Sequence, residues 1–329
     1  MLVGLITLVA WALSSGAQEA PPDNVGLARF SVDNPVGGAA IATVAWYPTK
    51  TAPVPMLFGP YRIEVAIDAA PIPGRYPLII LSHGTGGSAF NHHDTVTHLV
   101  QKGFVTVTLM HPGDNFQDTS AFGTDVQLLG RPGHVVAVLD ATLKHAALTP
   151  IVDPARIGMV GFSAGAYTAL VLAGGRPDLD KVVAYATRHP ADAARLGRIS
   201  GGLRRTLPDQ KVAHDPRIKA AVLLAPALGF AFDQSDLAAV KVPIRLYQAE
   251  ADEVLPHVAN ADRIRQLLPR PPEFVVLPAA GHYVFLAPCP EALAAHASMI
   301  CADPPGVDRR ALHERVNSEI VEFFRRTLR

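Results

Sequence analysis

Apolar residues are distributed along the chain in two alternating ways. Short, continuous apolar runs are typical of strands buried on both faces of a parallel sheet, whereas longer segments with apolar positions at helical spacing are typical of helices. Their alternation predicts an α/β fold, with a mostly parallel central sheet and helices on both faces. The predicted strands are 78–82, 104–109, 157–160, 218–224, 244–248 and 273–277, and the predicted helices are 92–102, 132–146, 164–173, 257–268 and 309–328.

The part of the chain before this alternation has a different pattern. Segments 27–33, 40–47 and 61–67 predict leading strands that could pair antiparallel. Proline makes up 29 of the 329 residues, about twice the usual share, and clusters between Pro48 and Pro77. Because apolar residues keep interrupting this cluster, we interpret it as an ordered loop rather than a linker.

A charged segment separates two of the predicted strands. Residues 174–216 are rich in Lys, Arg and Asp and contain the glycine pair Gly201 and Gly202, which indicates an insertion. Because the insertion directly follows the helix predicted at 164–173, it could form a lid over a site at that end of the sheet.

The first residues resemble an export signal. An apolar run from Leu2 to Leu13 is followed by Ser15 and Ala17 at the −3 and −1 positions of a small-x-small cleavage site. We therefore predict a signal peptide at 1–17, export to the periplasm or the medium, and a single domain over 18–329. No Lys or Arg precedes Arg29, so the positively charged start that is typical of a signal peptide is missing. The alternative is therefore an uncleaved anchor or a buried N-terminal segment. No later stretch has the length of a transmembrane helix.

Composition narrows the range of partners. The formal net charge is zero and only 18% of residues are charged, which gives no indication of nucleic acid or of an acidic surface as partner. We therefore expect a small or neutral substrate, and the oligomeric state stays open.

One motif points to chemistry. Gly161, Ser163 and Gly165 form G-x-S-x-G between the strand predicted at 157–160 and the helix predicted at 164–173. In this context the pattern is typical of a nucleophile elbow, a strained strand-to-helix turn that exposes a serine hydroxyl above a sheet. The alternative is a tight glycine turn that carries an incidental serine.

A serine nucleophile needs a base, and the base needs a carboxylate that orients it. His282 lies just beyond an apolar strand, at the edge where sites of parallel sheets assemble. The preceding strand is followed by Glu250, Asp252 and Glu253. We select Asp252, because its short side chain suits a fixed loop contact with a histidine, and we interpret the two glutamates as solvated loop charges.

The oxyanion of an acyl-transfer reaction needs two hydrogen-bond donors. The backbone N–H of Ala164, at the start of the predicted helix, is one candidate. The glycine-rich loop in "LSHGTGGSAF" offers the second, for which we select Thr85 with Gly84 or Gly86 as alternatives. This loop lacks the Lys-Ser/Thr ending of a phosphate-binding loop, so no nucleotide cofactor is predicted.

Other histidines have weaker claims to a role. His92, His93 and Asp94 are adjacent, but no further ligand at a compatible spacing completes a metal site, so no metal is predicted. His111, in "MHPGDN", is interpreted as a satisfied loop histidine, and the alternative is that it lines the pocket.

The assembled motifs resemble a known family. The order Ser163, Asp252, His282, with "SHGTGG" upstream, resembles the α/β-hydrolase fold, in the branch of platelet-activating-factor acetylhydrolase-like and dienelactone-hydrolase-like proteins. The likeness covers about residues 40–328 and includes "DPARIGMVGFSAGAYTAL", "VPIRLYQAEADEVLP" and "VVLPAAGHYVFLAPC". It implies a nucleophile, acid and base at these three positions and an oxyanion hole formed by Thr85 and Ala164.

The expected activity follows from this site. We predict a serine ester hydrolase that cleaves short- to medium-chain carboxylic esters through an acyl-enzyme, without a cofactor. An amidase, a lactonase or a polyester hydrolase would use the same residues, and a non-catalytic binding protein would be of a different class. True dienelactone hydrolases use a cysteine nucleophile where this chain has Ser163, so lactone specificity does not follow from the resemblance.

The chain has two cysteines, Cys289 and Cys301, shortly after His282. In an exported protein, two cysteines without a third fit one disulfide better than a metal site. We therefore predict a Cys289–Cys301 bridge that restrains the segment after the histidine, with two buried thiols as the alternative.

Overall fold

A computed structural model describes residues 24–195, 202–207 and 212–329. The predicted signal peptide at 1–17 lies outside the described residues, as do Gly201 and parts of the insertion predicted at 174–216. Within the described residues, no helix is both long enough and apolar enough to cross a membrane.

Ten strands in the described residues form one sheet. The spatial order is β10-β9-β8-β7-β5-β6-β2-β1-β4-β3. The strands from β5 onward pair parallel with one another, whereas β2 pairs antiparallel with both β1 and β6. The bounds are β1 Asn24–Val32, β2 Ile41–Thr49, β3 Val54–Phe58, β4 Tyr61–Ile67, β5 Tyr76–Ser82, β6 Val105–Leu109, β7 Val152–Phe162, β8 Ile218–Leu224, β9 Ile244–Ala249 and β10 Glu273–Leu277.

Helices surround the sheet, and several short ones follow its strands. A π-helical turn at 126–130 precedes α2, and 3₁₀ turns lie at 229–231, 257–259 and 282–285. The helix bounds are α1 His93–Gln101, α2 Arg131–Lys144, α3 Ala164–Leu172, α4 Leu179–Arg188, α5 Pro190–Arg195, α6 Gln234–Leu237, α7 Ala261–Leu267, α8 Glu291–Ala294, α9 Ser298–Cys301 and α10 Arg309–Thr327.

Both faces of the sheet are buried. Along β5, Leu78 and Ile80 belong to one core cluster, and Ile79 and Leu81 belong to the other, as the two-residue period of a strand requires. Helices α2 and α3 contribute to the first cluster, and α1 and α10 contribute to the second. The prediction of a mostly parallel sheet with helices on both faces is therefore confirmed.

Two local predictions were wrong. The proline-rich segment is not all loop, because Val54–Phe58 forms β3, an edge strand that pairs with β4. An edge strand tolerates Pro55, because the missing N–H can face away from the ladder. The helix expected at 257–268 begins later, since a 3₁₀ turn at 257–259 precedes α7.

The strand register brings the predicted site loops to one edge of the sheet. Ser82, at the end of β5, pairs with Gly161 on β7, and Phe162 pairs with Leu224 on β8. Because the carboxyl ends of parallel strands meet at one edge, the loops after β5, β7, β9 and β10 all emerge there.

Candidate active site

Ser163 occupies a strained turn between β7 and α3. Its φ of 53° and ψ of −114° lie in a region that residues with a side chain rarely adopt. The turn is held because the Ser163 N–H donates to the Leu224 carbonyl at 2.9 Å, and the Ser163 carbonyl accepts from the N–H groups of Ala166 and Ala227. The serine is only 7% exposed, at the start of a helix and at the carboxyl edge of the sheet.

The two glycines of the motif are required by close backbone contacts. A Cβ atom at Gly165 would lie 2.0 Å from the Ser82 carbonyl oxygen, and one at Gly161 would lie 2.1 Å from the Gly165 carbonyl oxygen. Any larger residue would push α3 away from β5 and β7. The G-x-S-x-G pattern is therefore a packing requirement of this elbow, whatever the role of its serine.

His282 and Asp252 are brought into direct contact. His282 begins the 3₁₀ turn at 282–285, and its Nδ1 lies 2.8 Å from Asp252 Oδ2. Both side chains are buried, at 3% and 4% exposure. The other oxygen of Asp252 accepts the N–H groups of Val254 and Leu255 at 2.9 and 2.7 Å, so this loop holds the carboxylate in one orientation.

The two neighbouring glutamates contact backbone rather than the imidazole. Glu253 Oε2 accepts the N–H of His282 at 3.0 Å, and Glu250 Oε2 accepts the N–H of Ala279 at 2.8 Å. Both glutamates are exposed, as expected of solvated loop charges, and their carboxylates also anchor the loop that carries His282. Asp252 is the one of the three acids that faces the ring.

Ser163 directly follows a residue that packs against His282. The ring of Phe162 packs on the His282 ring with centroids 4.9 Å apart. Among the described residues, no hydrogen bond joins the Ser163 hydroxyl to His282. Serine–histidine contacts in unliganded enzymes are often long and tighten only with substrate.

The loop after β5 approaches the elbow closely. A Cβ at Gly84 would lie 3.3 Å from the Ser163 Cβ. The Gly86 N–H is already engaged, because it donates to Asp114 Oδ1 at 2.9 Å, and the Gly87 N–H donates to the Gly84 carbonyl at 3.1 Å. Gly86, one of the alternatives to Thr85 as donor, is therefore occupied in this structure.

A buried ion pair holds the loop after β5 through two hydrogen bonds to its backbone. Arg131 and Asp114 are each 1% exposed and are joined by a 2.6 Å contact from Nη1 to Oδ2. Arg131 also donates to the His83 carbonyl, while Asp114 accepts the Gly86 N–H. Sequence reasoning missed both residues. The signal available was the acid in "HPGDN", but nothing local distinguishes Arg131 from a surface arginine.

Three histidines extend this network inside the protein. His111 Nε2 lies 2.8 Å from Ser82 Oγ, and His111 Nδ1 lies 3.2 Å from His134 Nδ1. Burial, reinforced by the charge of Arg131, lowers the pKa values of His83 and His134 to about 3 and that of His111 well below its usual value. His111 is fully buried and hydrogen-bonded, which agrees with its interpretation as a satisfied loop histidine rather than with the alternative that it lines a pocket.

The structure was also searched for a metal site. Within the described ranges, no group of three or more His, Cys, Asp or Glu side chains could hold a metal ion.

Cys289 and Cys301 form a disulfide. The loop that it closes contains α8 and α9 and lies shortly after the turn that carries His282.

Comparison with known proteins decides the family. The dienelactone hydrolase family matches the chain over residues 63–328. The chain belongs to the dienelactone hydrolase family. The resemblance predicted from the motifs is therefore confirmed, as are the α/β-hydrolase fold and the assignment as a carboxylic ester hydrolase.

A solved structure shares the same architecture. It is the structure of a ferulic acid esterase from Streptomyces cinnamoneus, which superposes with a TM-score of 0.65 at 18% identity and covers 96% of this chain and 92% of its own. At this identity the likeness concerns the fold. No curated protein matches the chain.

Proposed function

We propose that this family member hydrolyses short- to medium-chain carboxylic esters through an acyl-enzyme formed on Ser163. The observation that carries the proposal is the 2.8 Å bond between His282 and Asp252 at the sheet edge where the strained Ser163 turn also lies. A nucleophile, a base and an acid that orients the base are the parts that acyl transfer requires.

Each residue has a defined role in this reaction. His282 takes the hydroxyl proton as Ser163 attacks the ester carbonyl, and it returns that proton to the leaving alcohol. It then takes a proton from water, which attacks the acyl-enzyme, and it returns that proton to the Ser163 oxygen as the acid is released. Asp252 accepts the Nδ1–H of His282 throughout, which keeps Nε2 available for these transfers and stabilises the imidazolium.

Two backbone N–H groups are proposed to stabilise the oxyanion. Ala164 is the first residue of α3, so its N–H has no acceptor within the helix. The N–H of Thr85 has no acceptor among the described residues, in contrast to that of Gly86. Thr85 and Ala164 are therefore our proposed pair. The Asp114–Arg131 ion pair supports Thr85 by holding the loop on both sides of it.

An exposed aromatic ring favours an apolar acyl or aryl group in the substrate. The N–H of Phe116 donates to the Gly87 carbonyl at 3.1 Å, which places this residue beside the proposed oxyanion loop, and 64% of Phe116 is exposed. Because the structural neighbour is named a ferulic acid esterase, a hydroxycinnamate ester is a reasonable second substrate class to test.

A substrate panel tests the proposed function. We expect p-nitrophenyl esters from acetate to octanoate to be turned over with a higher kcat/KM than the palmitate ester, a matched anilide or a simple lactone. Methyl ferulate tests the aryl alternative. Preference for the anilide or the lactone would contradict the proposed substrate class, and no turnover of any ester would favour a binding protein.

We also infer that the protein is exported. The disulfide between Cys289 and Cys301 suits an oxidising compartment, and the predicted signal peptide would direct the chain there. Protein isolated from its native host should have lost residues 1–17, and alkylation without reductant should modify no thiol in the intact-mass spectrum. A retained Met1 or two alkylated thiols would contradict export.

A further inference from the structure

The turn that carries His282 is held at its far end by two other histidine rings. The last carbonyls of the turn belong to Val284 and Phe285. His313 Nε2, on α10, lies 2.6 Å from the Val284 carbonyl oxygen, and His92 Nδ1 lies 2.9 Å from the Phe285 carbonyl oxygen. A carbonyl can only accept, so each of these ring nitrogens must carry a hydrogen.

The other nitrogen of His313 also faces an acceptor. Its Nδ1 lies 2.5 Å from Asp94 Oδ2, and the same oxygen accepts the side-chain amide of Asn317 at 3.1 Å. A neutral imidazole has one N–H, whereas the two acceptors of His313, Asp94 Oδ2 and the Val284 carbonyl, need two N–H donors. His313 is therefore an imidazolium, only 6% exposed, and it links Asp94 on α1 to the turn of His282.

The charges around His313 favour this protonation state. Burial by itself would lower the pKa of His313, but the hydrogen bond and charge of Asp94 outweigh burial and raise it above the usual value. The positive charge of Arg309, on the same helix, lowers the pKa of His313, but this effect is weaker than the increase caused by Asp94. His92 and His93, the other titratable groups facing His313 from the α1 segment, have pKa values lowered by burial, to about 4 for His92, so they add no competing charge at neutral pH.

We propose that Asp94 and His313 are positioning residues for the catalytic base, because their charged pair holds the carbonyl end of the His282 turn. This inference rests on the proposed function, in which His282 is the base. Asp252 fixes the imidazole and Glu253 fixes the backbone N–H of His282, whereas the Asp94–His313 pair fixes the residues that follow. Together, these three contacts fix the position of the His282 ring at the carboxyl edge of the sheet.

The sign of the pH dependence follows from the raised pKa of His313. The two bonds of the imidazolium are present below the ordinary histidine range and are lost as the pH rises through the raised value. Deprotonation leaves one ring N–H for two acceptors, so one of the bonds to Asp94 or Val284 must break. The wild-type enzyme should therefore lose kcat on the alkaline side as the turn loosens.

The test compares His313→Gln and Asp94→Asn with a matched control. Both variants should lower kcat for p-nitrophenyl acetate by about 10- to 100-fold with KM within about twofold, because small displacements of a reacting group have effects of this size. Asp215→Asn is the control, since Asp215 is also buried and ion-paired, with Arg217, but precedes β8 at the opposite edge of the sheet. It should lose stability without losing kcat.

Two measurements distinguish positioning from simple structural support. The alkaline loss of kcat should disappear in His313→Gln, with circular dichroism confirming that the variant is folded at each pH. In the wild type, nitrogen-15 NMR of the histidine side chains should find both ring nitrogens of His313 protonated at pH 7. A neutral His313, or an unchanged kcat in both folded variants, would overturn the proposal.

Failure of the proposed function would look different. If His282 is not the base, the wild type hydrolyses no ester in the substrate panel, or His282→Ala retains activity, while the NMR signature of His313 persists. If only the positioning proposal is wrong, His282→Ala is inactive and His313→Gln has the wild-type kcat and alkaline profile.

Discussion

Replacing Ser163 with alanine is expected to lower kcat for p-nitrophenyl acetate by about 10⁴- to 10⁶-fold, because the acyl-enzyme can no longer form. The variant should fold, since alanine adds no atoms and the backbone bonds of Ser163 to Leu224 and Ala227 do not involve its hydroxyl. Burst kinetics and labelling with a fluorophosphonate probe, read by peptide mass spectrometry, check this result.

The matched control is Ser318→Ala, which removes a hydroxyl that bonds the Glu314 carbonyl on α10, away from the elbow. It should retain wild-type activity and probe labelling. If the probe labels a serine other than Ser163, or if Ser163→Ala keeps more than about a hundredth of the activity, the nucleophile is misassigned.

Asp252→Asn should lower kcat by about 10⁴-fold with little change in KM. In the wild type, Oδ1 of Asp252 accepts two backbone N–H groups and Oδ2 accepts from His282 Nδ1. An asparagine that keeps its oxygen on Val254 and Leu255 must turn its NH₂ toward His282. The imidazole would then carry its hydrogen on Nε2, the nitrogen that should take the serine proton. Steady-state kinetics across pH checks this result.

The neighbouring glutamates serve as matched controls. Glu253→Gln and Glu250→Gln keep a side-chain oxygen that can accept the N–H groups of His282 and Ala279. Both variants should therefore retain activity within about tenfold of wild type, as expected for loop anchors. An inactive Glu250→Gln together with a nearly normal Asp252→Asn would mean that the acid has been assigned to the wrong residue.

Features that depend on neighbouring residues could be predicted from the sequence. Continuous apolar runs predicted the parallel strands, because a strand buried on both faces needs apolar residues at successive positions. The turn at Ser163 could also be predicted, because Gly161, Ser163 and Gly165 lie within five consecutive residues and form a local pattern. The position of His282 just after a strand indicated the correct edge of the sheet, because strand polarity determines where the following loop emerges.

Contacts between distant segments were decided by the tertiary structure alone. Asp94 and His313 are 219 positions apart, and each resembles an ordinary polar residue of an amphipathic helix. Arg131 resembles a surface arginine until the fold buries it against Asp114.

The three acids after β9 combine one contact that the sequence predicted with two that it did not. Asp252 was selected from the three acids for its short side chain, and it is the one that faces the imidazole of His282, whereas both glutamates accept backbone N–H groups. Sequence spacing brought all three to the correct loop. The N–H groups that the two glutamates accept belong to Ala279 and His282, in the segment after β10. These contacts therefore depend on the pairing of β9 with β10, and only the tertiary structure decided them.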